Sequence, residues 1–352
     1  MAYTTIDNPE LYFQTKIYTG NGANNRAITF DGDENMQPDW LWIKNRSEAQ
    51  SHALFDSVRG ATLRFGTNSS GSESTENTNL DSFDTNGFTV DNELIVNGSS
   101  DLMVAWAWKA GGSASSNSNG SITSSVSAST TAGFSIVSYT GGGGGKTVGH
   151  SLGVAPKMFI IKARDTGDYN WSVWHSSLST PTTARLALNT TAAQANNSSF
   201  WNDAVPTSTL FSLGSDGTHN ANGTTYIAYC FAEKKGFSKF GSYTGNGNAD
   251  GTYVDLGFRP AWVMTKRSNN SENWYIIDNK RSPFNPPLNA SYANLNYAED
   301  TNATGRIQDF LSNGFKLRTS DTAVNGNGDT YVYYAFAENP FVTSTGIPVT
   351  AR

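Results

Sequence analysis

The chain carries the same pattern three times, and this repeat limits what it can fold into. Tyr18-Thr19-Gly20, Tyr139-Thr140-Gly141 and Tyr243-Thr244-Gly245 each open a unit. A proline, an apolar run and a lysine six positions after the proline follow in each: Pro38 to Lys44, Pro156 to Lys162 and Pro260 to Lys266. Each unit closes on an aromatic strand ending at Trp108, Phe231 or Phe336. A period on the order of 100 residues is too long for a solenoid repeat and matches a whole domain. Any proposed active site must therefore be compared with its two sister positions.

Strand signals dominate: short β-branched and aromatic runs bounded by Gly, Asn, Asp and Pro, with little helical periodicity. Asn86-Gly87 and Asn313-Gly314 each mark a hairpin. The expected fold class is all-β, with three tandem antiparallel β-sandwich domains. The expected boundaries are an N-terminal arm over 1–11, domains over 12–111, 132–236 and 237–341, and a tail over 342–352. The Ser/Gly-rich stretch 112–131 reads as a flexible or extended linker, leaving domain one mobile against a fixed pair of domains two and three, or fixed only by a partner chain. Trp40 and Trp42 share one strand face and Leu41 and Ile43 the other, so this strand is apolar on both sides and belongs to a core. Trp108, Phe231 and Phe336 are expected to be equivalent core residues.

Net charge is −6, which disfavours nucleic acid as a partner. No apolar run approaches the ~20 residues of a membrane span and the N-terminus lacks a signal-peptide pattern, so no membrane insertion is expected. The single cysteine, Cys230, lies inside an aromatic strand and reads as a structural thiol.

Several chemical motifs fail against the repeat. Gly141 to Gly145 followed by Lys146-Thr147 lacks the first glycine of a phosphate loop, and its sister loops have no lysine-threonine pair. Gly149-His150-Ser151-Leu152-Gly153 fits a hydrolase elbow in letters, but a proline and a strand follow where a helix is required. The four histidines show no metal spacing. Carboxylates form no array suited to glycan hydrolysis, so no enzyme activity and no catalytic residue is expected. Asp31-Gly32-Asp33-Glu34 reads as a solvated turn, with calcium at Asp31 and Asp33 the less favoured alternative, and no cofactor is expected.

Aromatics near polar turns are the remaining candidates. Trp171, Trp174 and His175 follow one such turn, and Trp274, Tyr275 and Asp278 follow another. An aromatic plate beside Asp and Asn groups is a way to stack a sugar ring. A further core strand is the commoner use of such residues.

The opening Met1-Ala2-Tyr3-Thr4-Thr5-Ile6-Asp7-Asn8-Pro9, the run Gln37 to Arg46, Asp56-Ser57-Val58-Arg59-Gly60-Ala61, Ser82 to Phe88 and Val104 to Gly111 together resemble virion proteins of marine tailed bacteriophages. That group is described as tail-fibre-like, with concanavalin-A-like, laminin-G-like jelly-roll domains. The resemblance covers nearly the whole chain and is densest in the first unit. It implies a virion location, other virion proteins as partners, a homo-oligomer such as a trimer, and a host-surface glycan as ligand. The implied function is a structural protein of fibre or appendage type for host attachment. Capsid decoration is the alternative, and a glycan depolymerase the less favoured one.

Overall fold

The computed structural model describes residues 3–349. The fold is all-β, and its sheets are antiparallel. Each unit contains one main sheet with the same strand order. An opening strand (Phe13–Thr19, Phe134–Thr140, Ser238–Thr244) pairs with the closing strand (Leu102–Trp108, Thr225–Phe231, Thr330–Pro340). The closing strand pairs with the proline strand (Trp40–Asn45, Met158–Ala163, Phe258–Arg267). A fourth strand (Ala53–Asp56, Ser172–His175, Trp274–Asp278) and a fifth (Gly60–Phe65, Ala184–Ala187, Ser291–Tyr292) follow outward. A small sheet of two or three strands covers one face of each main sheet.

The Tyr-Thr-Gly triplet fixes the start of every unit. Its tyrosine hydroxyl donates to a backbone carbonyl just before the closing strand: Tyr18 to Val96 at 2.6 Å, Tyr139 to His219 at 2.8 Å and Tyr243 to Val324 at 2.7 Å. The glycine then passes against that same turn. A Cβ on Gly20, Gly141 or Gly245 would lie 1.9–2.3 Å from the carbonyl oxygen of Gly98, Ala221 or Gly326. A fully buried asparagine completes the corner. The side-chain oxygens of Asn97, Asn220 and Asn325 accept from the amides of Asn21, Gly142 and Asn246, each at 3.0 Å. Buried amides must be satisfied, so this asparagine is as much a part of the repeat as the tyrosine.

Each main sheet is apolar on both faces, and the two faces have different partners. In the first unit Leu41, Ile43, Met103 and Ala105 pack on Ile28, Leu80, Phe88 and Val90 of the small sheet. Trp40, Trp42, Trp106 and Trp108 face the other way, into a cluster that also takes in Phe134, Met158, Tyr229 and Phe231 of the second unit and Phe240, Trp262, Tyr334 and Phe336 of the third. Trp108, Phe231 and Phe336 pair in the same register with Trp40, Met158 and Trp262. They meet near the centre, with ring centroids 5.5 Å apart for Trp108 and Phe336 and 6.0 Å for Phe231 and Phe336. The repeats thus share one aromatic core, where separate cores joined by chain were expected.

The expected linker is also folded. Ser115–Asn117 and Ser124–Ser129 are strands that extend the second main sheet to eight strands. Val126 is buried in that unit's sandwich with Ala128 packed beside it, a period-two signal that the serines disguise. The serines hold the segment: Ser124 Oγ donates to the Gly149 carbonyl at 3.0 Å, and Ser127 Oγ accepts from the Gly111 amide at 3.0 Å. Asp39 accepts from the amides of Ala110 and Gly112, tying the start of the segment to the first unit. The expected mobility of domain one has no structural basis in this arrangement.

The N-terminal arm is equally fixed. Ile6 is buried in the shared core. Tyr3 Oη donates to the Gly257 carbonyl at 2.8 Å, and Asp7 accepts from the Ser344 amide at 2.6 Å. The arm and the C-terminal tail thus meet on the third unit. Residues 1–2 and 350–352 of those segments lie outside the described residues.

Candidate functional site

Trp171 and Trp274 lie in the seams between units, and every aromatic candidate is buried. Strand register makes His52, Trp171 and Trp274 sister residues, and likewise Asp56, His175 and Asp278. Each member of the first set reaches carbonyls of the neighbouring unit. Trp171 Nε1 donates to Gly66 and Ser69, Trp274 Nε1 donates to Ala187, and His52 Nε2 donates to Tyr292 and Leu295. The sense is constant: unit two onto unit one, unit three onto unit two, unit one onto unit three. Head-to-tail contacts of this kind close a ring when the rotation fits, and here one chain supplies all three members. A sugar ring has no access to Trp171 or Trp274, so the expected stacking site is corrected. Trp174 and Tyr275 face the interiors of their own sandwiches.

The second sister set lies beside the shared core. Tyr229 Oη donates to Asp56 Oδ2 at 2.7 Å, and Trp106 Nε1 donates to Asp278 Oδ2 at 3.0 Å. Arg59 and Arg281 each bind the carboxylate three residues before them at 2.5 Å, with both partners fully buried. Burial alone would lower the Arg59 pKa, but Asp56 beside it raises it overall. At the third position His175 replaces the aspartate, and Leu178 stands where the arginine would be. His175 meets Tyr334 edge to face at 5.3 Å, and Tyr334 Oη finds no hydrogen-bond partner among the described residues.

An outer ring repeats the pattern. Arg46 grips Glu299 with two bonds of 3.0 and 2.7 Å, and Arg164 grips Glu73 at 3.0 and 2.9 Å. The Glu299 amide donates to the Arg46 carbonyl and the Glu73 amide to the Arg164 carbonyl, each at 2.8 Å. At the third seam the Gln194 amide makes the same 2.8 Å bond to the Ser268 carbonyl, without charged side chains. The three proline-strand lysines are buried nearby, and burial lowers the pKa of Lys44, Lys162 and Lys266 to about 8 each. Their ammonium groups donate to backbone carbonyls, Lys44 and Lys162 within their own units and Lys266 to Thr191 of the second unit at 3.2 Å.

The motifs set aside earlier have structural roles. Ser151 Oγ accepts from Asn117 Nδ2 at 2.7 Å, and His150 Nδ1 accepts from the Leu152 amide at 3.2 Å. Burial pushes the Cys230 thiol well up. Asp31 is paired with Lys16 at 3.3 Å and Lys280 at 3.7 Å, and Asp33 donates its amide to Glu10. No helix among the described residues is long and apolar enough to cross a membrane.

An open site lies on this ring. A cleft of about 610 Å³ lies where the N-terminal arm crosses from unit one to unit three. Asn8, Gln14, Asn279 and Asn339 line it, together with the carboxylates of Asp33 and Glu338. Arg259 binds Glu338 at its edge, and Pro283 closes one side. This cleft has no signature in the sequence, because its walls come from five separate segments brought together only when the ring closes.

No curated protein matches the chain. One family model, a domain of unknown function (DUF7483), matches residues 8–340 and so takes in all three units at once. That span agrees with a core that no single unit could bury alone, and the protein belongs to this family.

Proposed function

We propose that the protein is a non-enzymatic structural component of a bacteriophage virion, of fibre or appendage type, that contacts the host surface. The observation carrying this reading is the use of the chain's chemical groups. The buried arginine–carboxylate pairs, Lys266 and the seam aromatics hold the units together. A part that must survive outside a cell gains from such a closed, interlocked ring. The sequence resemblance to tailed-phage virion proteins supplies the particle.

Capsid decoration is the second reading, and the ring favours it specifically. One chain already presents three like units around a common axis, so it can sit on a threefold position of a shell without first forming a trimer. Cryo-electron microscopy of the intact particle tests both readings. Density of this ring on the tail supports the first reading, and density on the shell the second. Particles that lack the protein by mass spectrometry would refute both.

A further inference from the structure

The cleft between units one and three has a lining that selects its ligand. Four uncharged amide side chains share it with carboxylates and with the cations Arg259 and Lys280. The cavity therefore holds both groups that donate and groups that accept. Carboxylates on several walls oppose a phosphate or other anion. No group of three or more metal-ligating side chains converges among the described residues, which leaves a divalent cation without a cage. The polar lining offers little to an apolar ligand. Hydroxyl groups, each both donor and acceptor, fit this mixed lining. The volume of about 610 Å³ lies within the roughly 300–1,000 Å³ of small-molecule sites.

Two further observations point to a ligand. Asn279 lines the cleft and is partly exposed, and its Nδ2 donates to no group among the described residues, which leaves a free donor there. Beside the cleft, directly after Pro283, Phe284 is 83% exposed, the most exposed of the large hydrophobic side chains. Its loop is anchored: Asn285 Nδ2 donates to the Phe310 carbonyl and its Oδ1 accepts from the Phe310 amide, both at 2.9 Å. The sister segments at Ser57–Gly60 and Ser176–Pro181 carry no aromatic. An anchored, exposed ring beside an amide-rich cleft is a stacking platform with polar groups in reach.

We propose that this cleft binds a neutral oligosaccharide, with the sugar hydroxyls on Asn279, Asn8 and Asn339 and one sugar face on Phe284. The inference deepens the host-attachment reading and rests on it only for the source of the sugar. The test is saturation-transfer NMR on the full chain with neutral trisaccharides of glucose, galactose and mannose. Thermal melts with inorganic phosphate and with calcium chloride run alongside. At least one trisaccharide should show transfer, with affinity weakened roughly tenfold in Phe284→Ala and comparably in Asn279→Ala. Neither side chain makes a hydrogen bond among the described residues, so both variants should melt with the parent. Tyr253→Ala, an exposed aromatic outside the cleft, should bind as the parent does. Absence of transfer from every sugar overturns the proposal, as does stabilisation by phosphate or calcium without sugar binding. Sugar binding unchanged in both cleft variants also overturns it, while leaving the attachment reading intact.

Discussion

Two of the three seams are ionic and the third is neutral, although all three use the same backbone geometry. Where unit two meets unit one, and where unit one meets unit three, a buried Asp–Arg pair and a bidentate Arg–Glu pair stand side by side. Where unit three meets unit two, His175, Leu178, Ser268 and Gln194 occupy the equivalent places. The conserved part of the seam is the indole or imidazole bond to a carbonyl and the amide bond beside it. The charges are therefore an addition to a seam that also closes without them. Buried ion pairs add little net stability but are costly to break one partner at a time, so the ionic seams should be more sensitive to single substitutions.

The largest expected effect tests that sensitivity. Arg59→Ala or Arg281→Ala leaves a buried aspartate unpaired and should cost about 3–5 kcal/mol in urea unfolding. Leu178→Ala at the matching place in the neutral seam should cost about 2–3 kcal/mol, from lost packing alone. Equal losses at all three positions would erase the distinction. Trp108→Ala, in the shared core, should cost about 3–5 kcal/mol and lower the stability of the whole ring in one transition. Separate melting of the first unit would show that the core is not shared.

The neutral seam can also be charged. His175→Asp should destabilise by itself, and adding Leu178→Arg should recover part of the loss. The double-mutant cycle should give a favourable coupling of roughly 1–3 kcal/mol. A coupling near zero would mean that the third seam cannot hold the pair that its sisters hold.

Acid should loosen an ionic and the neutral seam alike. Burial lowers the pKa of His52 and of His175 to about 3, and of His219 to about 4. In the unfolded chain these groups take up protons near pH 6.5. The unfolded state therefore binds more protons below that pH, and stability falls from about pH 6.5 towards pH 3–4. Each histidine should contribute about 1.4 kcal/mol per pH unit within that window. His175→Phe should reduce the slope by one such contribution, measured as urea midpoints between pH 7 and 5. An unchanged slope would remove His175 from the account.

The smallest effects lie at the surface. Lys16→Ala breaks an exposed pair with Asp31 and should change stability by less than about 1 kcal/mol. Limited proteolysis should spare residues 112–131, since Ser115–Asn117 and Ser124–Ser129 within them are paired in the second sheet. Early cleavage there would restore the linker and free the first unit.

Much of the seam was written in the sequence without being readable as a seam. The lysine six residues after each proline is visible in the sequence, but its surroundings are not: Lys44 and Lys162 meet carbonyls nearby in the chain, at Asn45 and Tyr169, while Lys266 also reaches Thr191 in another unit. Asp56 and Arg59, and again Asp278 and Arg281, repeat at the same spacing in two units. Their meaning depends on Tyr229 and Trp106, which lie in other units. Asn97, Asn220 and Asn325 precede the closing strands in all three units, and only the buried corner they fill explains why.

The sequence by itself determined the threefold register, the antiparallel strands and the presence of apolar residues on both faces of each main sheet. These follow from local chemistry: period-two alternation, turn residues and a motif that recurs at domain spacing. Only the tertiary structure decided what covers the second face. A strand that is apolar on both sides needs two partners, and its sequence does not say whether the second belongs to its own unit or to another. Trp171 and Trp274 were for that reason readable as exposed plates. Closing the ring places them against neighbouring carbonyls and buries the shared aromatic core, and the same closure forms the cleft beneath the N-terminal arm.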